Sequence, residues 1–84
     1  MQARSQSPEA KEIARRLLTS VVGLRERTVS TELVDAARQL ARQGAMSAAI
    51  AALRLAQLDG LRRSAVRKLR LELRVVLKAP VKAR

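Results

Sequence analysis

The feature that most constrains this chain is a pair of apolar stripes at helical spacing, one on each side of a single glycine. Leu33, Ala36, Ala37 and Leu40 recur every three or four residues, and so do Ala49, Ile50, Leu53 and Ala56. That repeat puts side chains on one face of an α-helix. Between the stripes, Gly44 suits the left-handed residue that closes a helix, and Ser47 can cap the next one. Ser30, with Glu32 in the first turn, marks the start of the first of these helices, and Gly60 the end of the second. The implied unit is an antiparallel helical hairpin over residues 31–59, and the fold class is all-α. Its alanines let two helix backbones approach at the short end of the usual spacing of about 8 to 10 Å.

A helix precedes the hairpin. Ser7 can cap free N–H groups, Pro8 fits the first helical position, and Glu9 and Glu12 favour the positive end of the helix dipole. Ala10, Ile13, Ala14, Leu17, Leu18 and Val21 form its apolar stripe, which predicts a helix over residues 8–26. Gly23 can end or kink it early, Glu12 can pair with Arg16, and residues 1–6 are expected to fray.

After Gly60 the pattern is sharper still. Over residues 61–78, Ala65, Val66, Leu69, Leu73, Val76 and Leu77 fall within about 120° of arc on a helix. Arg63, Arg67, Arg70, Arg74 and Lys78 make a second stripe beside them, and only Glu72 interrupts the positive charge. Leu71 and Val75 then face away from the apolar stripe. Leu69, Leu71, Leu73 and Val75 also alternate with Arg70, Glu72 and Arg74, so a strand is the competing reading for Leu69 to Leu77. A lone strand would need a partner copy, and helix is preferred. Pro80 blocks continuation, and residues 79–84 form a basic tail. The result is a small bundle of about four helices in one domain of 84 residues.

The hairpin carries a family resemblance. Leu33, Ala36, Ala37, Leu40, Gly44, Met46, Ala49, Ile50, Leu53 and Ala56 stand at the spacing of the signature positions of a single tetratricopeptide repeat. Leu33, Leu40, Met46 and Leu53 occupy positions where that family carries larger residues. The resemblance implies close packing of two helices through small residues, a glycine turn, and a protein-binding scaffold. One such unit cannot form the family's concave groove, because solenoid units need neighbours.

Of 40 hydrophobic residues, 15 are Ala and none is aromatic. Each Ala brings little area, so the core is thin and self-association or docking on a partner is expected to complete it. The chain has neither His, Cys nor Tyr, which removes the commonest general bases, nucleophiles and metal ligands. Three isolated glycines cannot build a phosphate loop. No enzymatic activity, cofactor, metal or small-molecule substrate is expected.

With 18 Lys and Arg against 7 Asp and Glu, the net charge of +11 directs the chain toward polyanions or acidic surfaces. GC-rich coding produces the same bias toward Arg, Ala and Leu, so charge alone does not choose a partner. The leading expectation is a protein-interaction or adaptor module that oligomerises or docks an acidic partner, with Leu71, Val75, Leu55 and Leu58 as its apolar surface. The alternative is binding to the phosphate backbone of DNA or structured RNA through Arg63, Arg67, Arg70, Arg74 and Lys78. Without aromatics there is no base-stacking platform for single strands. Binding of the last helix to an anionic membrane surface ranks behind both. The charge-free run from Gly44 to Leu53 falls far short of the roughly 20 residues that span a bilayer, and the first ten residues lack the apolar segment of a signal peptide. A cytoplasmic location is the default expectation.

Overall fold

Capping chemistry decides where this chain turns. In the computed structural model, which describes residues 5–22, 30–57 and 63–81, the elements are α1 (Pro8–Val22), α2 (Ser30–Arg42), α3 (Met46–Gln57) and α4 (Arg63–Lys78). At the start of α1, Ser7 Oγ accepts a hydrogen bond from the Ala10 N–H at 3.1 Å, which satisfies one of the donors a helix leaves open. The same hydroxyl donates to Gln43 Oε1 at 2.8 Å, so the cap also ties α1 to the end of α2.

The α2–α3 turn is built on Gly44, whose φ of 85° lies in the left-handed region. The Ala45 N–H reaches back to Leu40 O at 2.9 Å and the Gly44 N–H to Ala41 O at 3.0 Å. These two bonds form the Schellman closure of α2, and the Ala45 and Leu40 side chains are both buried beside it. A Cβ at position 44 would meet open space, so the cost of adding one is conformational alone. Gly44→Ala is expected to lower the unfolding free energy by about 1 kcal/mol. Urea titration followed by circular dichroism reads this directly, and an unchanged midpoint would contradict the turn. Ser47 does not cap α3. The helix begins at Met46, with the Ala49 N–H on Ala45 O, so Ala45 holds the cap position and Ser47 lies inside the first turn.

The helices close a circuit. α2 packs on α3, α3 on α4, α4 on α1, and α1 on α2. Their buried faces meet in one cluster, in which Leu33 and Leu40 of α2 and Leu69 and Leu73 of α4 are the largest fully buried side chains. The apolar stripe expected for α4 is the one that turns inward, and Leu69 to Leu77 is helical rather than extended. The radius of gyration, 12.1 Å, matches the roughly 12 Å of a compact chain of this length.

The two ends of the described chain meet. The Gln6 N–H donates to Pro80 O at 2.8 Å, within an isolated parallel bridge between Gln6 and Val81. The Lys11 ammonium donates to Ala79 O at the carboxyl end of α4, where a cation opposes the negative end of the helix dipole. The expected fraying therefore does not reach Gln6, and the expected tail is docked at Ala79, which is 2% exposed. Glu12 pairs with Arg16 at 3.2 Å, as the four-residue spacing predicts, and with Arg15 at 2.8 Å. The expected extension of the first helix to residue 26, with Gly23 inside it, lies outside the described residues.

One expectation for the core is met only in half: Ala49 is buried and Ala56 packs against the core, as the spacing predicts. α3 does not bury Ile50 and Leu53, which are 46% and 38% exposed. Beside Ala49 it turns in Ala48, Ala51, Ala52 and Leu55. Both faces of this helix have apolar residues at three and four spacing, and it is the least amphipathic of the four. Packing on α2 and α4 at once favours the face whose small side chains admit two backbones. Among the described residues 16 apolar side chains are buried and nine of them are Ala, so the interior is filled by close approach more than by bulk.

Candidate interaction face on the last helix

The outward face of α4 is set by its inward one. Once Leu69, Leu73 and Val76 are committed to the core, helical geometry directs Arg63, Arg67, Leu71, Arg74, Val75 and Lys78 to solvent. Leu71 is 52% exposed and Val75 56%, an i,i+4 pair that runs beside the cations. Lys68 and Glu72 lie on its flank and pair at 3.1 Å, which spends the one carboxylate of the helix on a local partner. Arg63, Arg67, Arg74 and Lys78 form no ion pair among the described residues. Arg63, Ser64, Arg67, Lys68 and Leu71 line a shallow depression along the first half of the helix.

The five cations expected to act as one stripe are not equivalent. Arg70 sits at the boundary with the core, partly buried, and its Nε is shielded from solvent with no hydrogen-bond partner. Two of the four residues expected to form the apolar docking surface, Leu71 and Val75, are where the periodicity put them. Leu55 is not: at 3% exposure it belongs to the core, because α3 turns its alanine face inward and Leu55 lies on that face. Leu58 lies outside the described residues.

A second exposed surface escaped the reading of the sequence. Met46, Ile50 and Leu53 are 53%, 46% and 38% exposed along the outside of α3. The available signal was the apolar character of α3 all the way round, which indicates burial on two sides. Spacing alone picked the stripe of Ala49, Ile50, Leu53 and Ala56, which placed Ile50 and Leu53 inside along with the two alanines.

Among the described residues, no group of three or more acidic, His or Cys side chains is placed to hold a metal ion. No described helix is long and apolar enough to cross a membrane. Comparison of the chain with protein-family models, with curated proteins and with solved structures finds no match.

Proposed function

We propose that this chain is a non-enzymatic protein-interaction module whose α4 outer face docks an acidic partner. The observation that carries this reading is the position of Leu71 and Val75, more than half exposed beside the stripe of Arg63, Arg67, Arg74 and Lys78. A phosphate backbone rewards the cations but gains nothing from two aliphatic side chains alongside them. An amphipathic acidic helix or segment gains from both, since its apolar residues cover Leu71 and Val75 while its carboxylates meet the neighbouring guanidinium groups. The tetratricopeptide-like spacing of the hairpin supports the same class of activity, with α3 of the hairpin and α1 serving as the support on which α4 packs.

Backbone binding to duplex DNA or folded RNA is the second reading. It is favoured by the unpaired state of four α4 cations among the described residues and by the net charge of +11. The two readings separate in one experiment. An acidic amphipathic peptide, a short DNA duplex and an RNA hairpin are titrated across salt with the natural chain and with a Leu71→Ser/Val75→Ser variant. The docking reading expects the peptide to lose about tenfold in affinity, equal to about 1.4 kcal/mol, while any nucleic-acid binding is unchanged. Tight duplex or hairpin binding at physiological salt, with the peptide weak and the serine pair without effect, transfers the face to nucleic acid. Binding to none of the three at low salt removes both readings.

A further inference from the structure

The α3 surface poses a different question from α4, because it is apolar without being basic. From Met46 to Gln57 the helix has one cation, Arg54, and no acid. Six of its side chains are exposed: Met46, Ile50, Leu53 and Gln57 form one stripe, and Ser47 and Arg54 lie on its flank. The stripe's spacing of four, three and four residues is that of a two-helix coiled-coil seam, with Ile50 and Gln57 in a-type positions and Met46 and Leu53 in d-type positions.

We propose that α3 is a self-association seam at which two copies of this chain pair their outer faces about a two-fold axis. The pattern is self-complementary when the helices run antiparallel. Ile50 then lies opposite Leu53 of the second copy, Leu53 opposite its Ile50, and Met46 opposite its Gln57 at each end. The apolar residues fill the middle of the contact and the polar amide closes each rim, which is the arrangement an isologous interface requires.

Charge selects the occupant. Two chains of +11 repel wherever their basic surfaces oppose, and an α4–α4 contact would place cation stripe against cation stripe. The α3 face is the place where a second copy meets almost no charge. It has too few cations to recruit an acidic partner in competition with α4. Composition argues in the same direction: nine alanines are buried while Met46, Ile50 and Leu53 are outside, so the larger side chains gain their burial only when two copies meet.

Size sets the expected strength. A twelve-residue helix is about 18 Å long, and a standard interface takes about 800 Å² per partner, close to one-eighth of the chain's 6396 Å². One helix covers less than that, so dimerisation in the micromolar range is expected. Raising salt should strengthen it by screening like charges, the opposite of its effect on acidic or nucleic-acid partners.

The test is sedimentation equilibrium of the natural chain across concentration and salt. Expected is a monomer–dimer equilibrium that tightens as salt rises and weakens at least tenfold in Ile50→Glu, with Val75→Glu leaving it unchanged. Because the chain has no Cys, Ile50→Cys and Leu53→Cys chains can be mixed and treated with a short bismaleimide, which makes the result independent of how a glutamate at position 50 is tolerated. A cross-linked pair is expected from that mixture and none from Val75→Cys. A natural chain that stays monomeric at roughly millimolar concentration, in low and high salt, overturns the proposal and leaves the α3 face to a different protein. So does a dimer that survives Ile50→Glu, or a cross-link obtained through Val75→Cys alone.

Discussion

Replacing Leu73 with Ala is expected to lower the unfolding free energy by about 3 to 4 kcal/mol. Leu73 is 0% exposed on α4, the helix that α1 and α3 both pack against, so the cavity opens where three elements meet. An interior built so largely from Ala has few long side chains that can swing in to fill the space. At about 0.05 to 0.15 kcal/mol per residue, a chain of this length holds only about 4 to 13 kcal/mol in total, and the variant loses a large share of it. Leu71→Ala, two positions along the same helix, should move stability by less than about 0.5 kcal/mol, because Leu71 is already half exposed. Urea titration of the pair tests the orientation of α4, and equal losses at the two positions would contradict it.

The triple replacement Arg67→Gln, Arg74→Gln and Lys78→Gln should separate binding from stability. It takes the net charge from +11 to +8 and removes three of the exposed cations beside Leu71 and Val75. At about 0.2 to 1 kcal/mol for each exposed pair formed with a partner, affinity for an acidic peptide should fall between about threefold and a hundredfold. If duplex DNA is the ligand instead, the salt dependence of binding should flatten by about three phosphate contacts. Folding should not suffer. Arg63 and Arg67, Arg70 and Arg74, and Arg74 and Lys78 are like charges four residues apart, and each such pair costs the helix about 0.2 to 0.5 kcal/mol. The melting temperature is therefore expected to hold or rise while binding weakens. A fall in both would assign the stripe a structural role.

α2 and α4 were legible because each has one kind of face. In α2, Val34 apart, Leu33, Ala37 and Leu40 have only polar or small competitors around the helix, and in α4 every position opposite Leu69 and Leu73 but Leu71 and Val75 is charged or polar. The phase of such a helix follows from periodicity alone. α3 was not legible in this way, since an Ala face and an Ile, Leu and Met face repeat with equal regularity. What decides between them is the distance at which two neighbouring backbones settle, a property of the assembled bundle. The site followed the same division: Leu71 and Val75 could be assigned from α4 itself, whereas Leu55 depended on the orientation of α3. Arg70 shows a finer limit, for the stripe gives its angle on the helix but not the height of the core edge beside it.

The contact between Gln6 and Pro80 has a topological consequence. With α1 against both α2 and α4, the fold is a ring of four helices, and its seam between the two ends is spanned by one backbone hydrogen bond beside the Lys11 clamp. The start of the chain is thus one of several points at which the ring could be opened. Covalent closure around Gln6 and Val81 would remove freedom from the unfolded chain without touching the outer face of α3 or α4. Those two faces belong to different helices of the circuit, so a pair of copies joined along α3 would carry two α4 surfaces. Acidic segments held together on one partner would then be gripped in twos, and the avidity of the pair would exceed what either face achieves alone.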